Sequence, residues 1–281
     1  MRKLLSRLER ETQGDVILAF WQNVPPHAFD PARSAARALK RCAVASKRND
    51  TVTVALAGRG GLAEFADHGL RALRSVYQRV DVVVCGDVTA AGTLFAIAAD
   101  STAISPLGSI GAYDAGPIGA GPNALSPRVF DDVPAMGGID LASEPGLQGR
   151  LAYHRHEARV ARNFAERHLV GERRDLFSRL SFHELGDGTA LDLRELSEFS
   201  FHPASARWDE LYHQAEDAFG LPVEGAKQRY SVTGLGDEVE FEPAEDVTVA
   251  IFESPRFSTA FVVDSGRPHP DTGNYLGDWT K

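Results

Sequence analysis

The chain has few cysteines and few lysines, and both shortages narrow what it can be. Cys42 and Cys85 are the two thiols in 281 residues. They make no disulfide framework, and no Cys–Cys or His–Cys pair stands at metal-ligand spacing, so no metal site is expected. Cys85 lies in "DVVVC", the pattern of a buried strand, and reads as an inert core thiol. No lysine falls between Lys47 and Lys227. The formal net charge is -9, and no Lys/Arg-rich block interrupts it, which argues against a nucleic-acid partner. The basic stretch "LKRCAVASKR" carries the alanines and Val44 of an ordinary surface helix. No apolar run approaches the ~20 residues needed to span a bilayer. The opening "MRKLLSRLERE" is charged throughout, unlike a signal peptide. These absences predict a cytoplasmic protein without a transmembrane segment.

What is present is ordinary for a globular chain: 43% apolar and 25% charged residues. The length allows one large α/β domain or two small ones. Residues 2–13 read as a helix with Leu4, Leu5 and Leu8 on one stripe. "DVILAFW", "TVTVALA" and "VDVVVC" are continuously apolar runs of strand length. Between them lie helices through about residue 46, capped by Asp30 and led by Pro31, and over residues 62–80. Strands of this kind are buried on both faces, as in a parallel sheet covered by helices. A short strand, "STAIS", follows the next helix. Residues 106–148, rich in Gly, Pro, Ala and Ser, read as a structured loop or lid. Helices are then expected over 148–170, 172–182, 191–199 and 208–219. The stretches "DEVEFEP", "DVTVAIFES" and "FSTAFVVDS" alternate like antiparallel strands. The last residues, "GRPHPDTGNYLGDWTK", read as a tail.

Two turns carry the chemistry. "ALAGRGG" ends a buried strand and precedes a helix, and Gly60 and Gly61 let backbone N–H groups point into a cleft. "GRGG" is not G-x-G-x-x-G and no P-loop lysine follows, so no nucleotide or other cofactor is indicated. One strand later comes "DVTAAGTLFAIAAD", small residues around a glycine running into an alanine-rich helix. Then comes "ISPLGSIGAYDAG".

This order resembles the Clp/crotonase superfamily, and within it the serine dehydrogenase proteinase group, relatives of signal peptide peptidase A. Members typically show a "PGG" turn, a "SAGTLIALAAD" elbow and a "GSIG" segment. "RKLLSRLERETQGDVILAF", "RLAYHRHEARVARNFAERHL" and "FHELGDGTALDLRELSEF" also look like parts of that group. The resemblance covers roughly residues 2–222. It implies a Clp/crotonase-like α/β core of parallel strands with helices, then C-terminal helices and a few antiparallel strands. Residues 1–222 would form the peptidase-type domain and 223–281 a β-rich extension and tail. It implies oxyanion donors at Gly61 and Ala91, with Gly60 enabling the turn, and a groove also lined by Ala90, Gly108 and Ser109. It implies a homo-oligomer, or a hetero-oligomer with a paralogue, and a peptide or protein segment as partner. Asp100 and Asp114 match conspicuous family acids; Asp100 reads as structural, and Asp114 has no assigned role.

The departures from the family weigh most. The nucleophile position falls on Ala90, and a methyl group attacks nothing. Thr89 and Thr93 are one residue before and three after, where Thr89 is expected to point elsewhere and Thr93 to sit at the wrong depth. The lysine base is absent. His154 and His183 are the candidate bases, although a lone histidine is usually a hydrogen-bonded packing residue. Loss of a nucleophilic serine costs about 10⁶ in turnover. Three readings stand: a silent pseudo-peptidase that binds a peptide or partner; an active Ser-Lys or Ser-His peptidase whose serine is exchanged for Ala90 in this chain; and a crotonase-type acyl-CoA enzyme using Glu64, Asp87 or Asp114.

Overall fold

The computed structural model describes residues 1–21, 32–113, 145–185, 190–219, 247–268 and 275–279. Its centre is a mixed sheet whose main part is parallel. β1 (Asp15–Trp21), β2 (Thr51–Gly58), β3 (Arg79–Val88) and β4 (Ser101–Ile104) run side by side in that order. Every residue of β1 is buried, and so is β2 from Val52 onward. Alternation along each strand sends neighbouring side chains to opposite faces. Ile17, Ala19 and Trp21 join Val54, Leu56 and Leu39 on one face, with α2 (Ala32–Ser46), α3 (Ala63–Arg74) and α4 (Ala91–Ile97). Val16, Leu18 and Phe20 join Ala55, Val83 and Cys85 on the other. That second face is closed by Leu4, Leu5 and Leu8 of α1 (Arg2–Thr12) and by Trp208 and Leu211 of the helix at Arg207–Phe219. The α/β class expected from the apolar runs is therefore the one observed.

β5 (Ser109–Gly111) leaves the turn after β4 and pairs with the end of β3. A long helix, α5 (Pro145–His168), follows, then α6 (Glu172–Arg179), α7 (Phe182–Leu185), β6 (Ala190–Leu191), α8 (Leu193–Leu196), β7 (Phe201–Pro203) and α9 (Arg207–Phe219). Asp192 caps α8 through Arg194 and Glu195 N–H, while Glu195 returns the bond to the Asp192 N–H, a capping box.

Several boundaries differ from the sequence reading: the helix expected over 172–182 ends at Arg179, and the one expected over 191–199 is a single α-helical turn, Leu193–Leu196, after the strand Ala190–Leu191. α3 stops at Arg74 rather than near Val80, because Gln78 and Arg79 N–H both bond to Asp50 O and draw the chain into β3 opposite Thr51. β3 in turn runs past "VDVVVC" to Val88. Part of the supposed tail is a strand: β10 (Tyr275–Trp279) pairs antiparallel with β9 (Ser258–Pro268). β9 pairs with β8 (Val247–Glu253), and β8 lies antiparallel against β1. The C-terminal strands thus continue the central sheet. The proposed Asp30 and Pro31 start of α2, the strand at "DEVEFEP", residues 114–144 and Asp114 lie outside the described residues.

Asp67 fastens α5 to α3. It is nearly buried (7% exposed) and accepts from His168 Nε2 at 2.7 Å and Arg167 Nη1 at 2.9 Å, with Arg71 at 3.7 Å. Arg74 donates toward His168 Nδ1 at 3.2 Å, which leaves Nε2 to carry the proton toward Asp67. Burial alone would raise the Asp67 carboxyl. The His168 hydrogen bond and the charges of Arg167 and Arg71 outweigh it and hold the carboxyl below its ordinary value. A depressed folded-state value adds stability above the unfolded value of about 4 and loses it as pH falls through the folded one. Asp67→Asn is expected to cost about 2 kcal/mol at neutral pH. Melts of both proteins from pH 7 to pH 3 check this: the gap should narrow in acid.

Candidate functional site

The site is the place where the β2–α3 turn meets the β3–α4 turn. Gly58 ends β2 directly under the Trp21 ring; a β carbon there would lie 2.3 Å from it. Trp21 Nε1 donates to Gly60 O at 3.2 Å, and Trp21 O accepts from Arg59 N–H at 3.3 Å. Phe65 closes edge-on against the same indole, 5.3 Å between centroids. Gly60 and Gly61 have φ of 76° and 91°. Glycine takes such values without strain.

Thr89 stitches the two turns. Its N–H donates to Gly58 O at 3.0 Å, and its Oγ1 accepts from Gly60 N–H at 2.9 Å. The sequence reading pointed this hydroxyl away from the nucleophile position. It does leave that position, and it braces the glycine turn instead. Ala90 follows at φ 51°, ψ -116°, held by a bond from its N–H to Ala112 O at 2.8 Å. This is a strained conformation for a residue with a β carbon. α4 begins at once. A β carbon on Gly61 would sit 3.2 Å from that of Ala91, so the two expected donor residues adjoin. Gly61 is exposed and its N–H has no partner among the described residues. Ala91 is fully buried, so the open surface here belongs to Gly60, Gly61, Thr89 and Ala90.

The neighbouring hydroxyls and thiols are occupied or distant. Thr93 is buried and donates to Gly111 O at 2.8 Å. Ser109 donates to Asp87 Oδ1 at 2.6 Å. Ser105 Oγ is buried without a partner among the described residues, in the turn beside Val84 and not at the elbow. Burial pushes the Cys85 thiol up to about 12, on the opposite face of the sheet. Gly108 is packed against Val84 O, which a β carbon would approach to 2.4 Å. His154 and His183 lie in α5 and α7, and their side chains are outside the described residues. Asp100 is structural as read: it accepts from Val80 N–H at 2.7 Å and pairs with Arg74 at 3.2 Å.

Two side chains at the turns escaped the sequence reading. Arg59, inside the quoted "GRGG", bonds to Asp87, whose other oxygen accepts from Ser109. Burial would raise Asp87, but Ser109 and Arg59 hold it below its ordinary value, which makes it a fixed carboxylate rather than a proton donor. Glu157 of α5 accepts from Ala63 N–H, at the first turn of α3, at 3.3 Å. Burial pushes Glu157 up, and Glu64 adds to this, against the Ala63 bond and His156. Its signal was available: Glu157 precedes Ala161, Phe164 and His168 at helical spacing, an acid within an otherwise buried stripe.

Among the described residues, no cluster of His, Cys, Asp or Glu could hold a metal, and no helix is long and apolar enough to cross a membrane. No protein-family model matches the chain, and no curated protein matches it. Solved structures that align with it include a serine-to-alanine mutant of the 1510-N membrane-bound stomatin-specific protease, at 14% identity over 73% of this chain and 84% of that one, TM-score 0.43. ClpP1 from Listeria monocytogenes aligns at 14% identity over 71% and 96%, TM-score 0.37. A monofunctional enoyl CoA isomerase from M. smegmatis aligns at 18% identity over 72% and 78%, TM-score 0.32. At these values the chain's own residues must carry any functional reading.

The elbow strain is itself measurable. Ala90→Gly should stabilise the protein by about 1 kcal/mol, the relief of strain less the added freedom of the unfolded chain. Urea unfolding at neutral pH reads this directly; a loss of stability would mean that the elbow is not strained.

Proposed function

We propose that the chain is a catalytically silent relative of the serine dehydrogenase proteinase group, holding a peptide or partner segment in its groove as part of an oligomer. One observation supports this above the rest. Ala90 occupies a strained elbow of the sort that presents a nucleophile, beside an exposed Gly61, and carries only a methyl group. The hydroxyls of Thr93 and Ser109 are committed elsewhere, and no lysine falls between Lys47 and Lys227, the stretch that holds both turns. An exposed donor without a nucleophile can bind a carbonyl but does not cleave it.

The same strained elbow favours a second reading, an active Ser-Lys or Ser-His peptidase whose serine is exchanged for Ala90 in this chain. A casein and peptide digest with the protein and with Ala90→Ser separates the two. No hydrolysis by either protein is the result expected of the silent reading. Hydrolysis by the Ala90 protein would overturn it. Hydrolysis by Ala90→Ser alone would show that a base is present and favour the second reading. The acyl-CoA reading draws no support from Asp87, whose carboxylate is committed to Arg59 and Ser109.

A further inference from the structure

The Gly58–Gly61 turn carries open hydrogen-bond donors beside an exposed guanidinium. Gly58 O accepts from Thr89 N–H, Gly60 O from Trp21 Nε1, and Thr89 Oγ1 from Gly60 N–H. Both oxygens of Asp87 are engaged, by Arg59 and Ser109. These acceptors are engaged, while the Arg59 and Gly61 carbonyls of the turn have no partner among the described residues. Two donors are open as well. Gly61 N–H has no partner among the described residues. The Arg59 side chain is 59% exposed, and Asp87 is its one hydrogen-bond partner among them. A guanidinium carries five N–H donors in a fixed fork. Asp87 anchors one end of the fork and Ser109 anchors Asp87, so the remaining donors stand in a set orientation beside the turn.

A ligand that engages these two donors brings acceptors to them, and beside a guanidinium the matching group is a carboxylate. We propose that Arg59 is a specificity-determining residue, which makes the groove prefer ligands that place a carboxylate against the Gly58–Gly61 turn. This rests on the peptide-binding reading given above. The carboxylate is either a free peptide C-terminus or an Asp or Glu side chain.

The test uses three pools of random nonapeptides made without Asp or Glu and labelled with an uncharged dye. One pool ends in a free acid, one in an amide, and one in an amide with a single central Glu. Fluorescence anisotropy measures their binding to the full chain and to Arg59→Gln and Arg59→Lys. At least one carboxylate-bearing pool should bind roughly three- to tenfold more tightly than the plain amide pool, and which one it is identifies the source. Arg59→Gln should erase the difference at an unchanged melting temperature, while Arg59→Lys should retain part of it. Equal binding of all three pools, or a preference that survives in Arg59→Gln, overturns the inference and leaves peptide binding intact. Absence of binding by every pool overturns both.

Discussion

The indole of Trp21 is the fixed point of the site. It leaves room only for a glycine at position 58, and its N–H holds Gly60 O. Phe65, two residues into α3, packs edge-on against it, and Phe252 of β8 stacks on Phe65 at 6.1 Å. One aromatic column therefore ties the end of β1, the glycine turn, the start of α3 and the C-terminal strands together. The turn cannot shift without moving a buried ring, and rings in a close-packed interior move little.

Rigidity at this turn is passed to the elbow through a single residue. Thr89 accepts from Gly60 while its own N–H reaches Gly58 O. Those two bonds set the height of Ala90 above the sheet, and the Ala112 carbonyl holds it from the other side. Backbone strain persists only where the surroundings over-determine it, and here three neighbours do. The turn above is charged but balanced, since Arg59 faces Asp87.

Much of the scaffold was readable from the residues. Continuous apolar strands announced burial on both faces, and the Leu4, Leu5 and Leu8 stripe announced the covering helix. The two turns were readable for a local reason: paired glycines and runs of small residues demand backbone conformations that little else adopts. What escaped was long-range. The end of α3 depends on the Asp50 carbonyl, two elements away in sequence. The strand at Tyr275–Trp279 is five residues long and becomes a strand because β9 lies beside it. Arg59 and Glu157 gain their roles from partners 28 and 94 residues distant, which no local pattern encodes. Their chemical types were visible, but their neighbours were not.

The pairing of β1 with β8 brings together segments from opposite ends of the chain, Leu18 against Glu253 and Trp21 against Ala250. Arg256 then grips Glu9 of α1 with two hydrogen bonds, of 2.9 and 3.0 Å. On the ribosome this order of events matters. β1 emerges before β8, and one of its hydrogen-bonding flanks stays bare until β8 is synthesised, on the order of tens of seconds later. An uncovered apolar strand edge is a template for pairing with other chains. The nascent protein is therefore most vulnerable to misassembly during this interval, and a chaperone that shields strand edges would serve it best then.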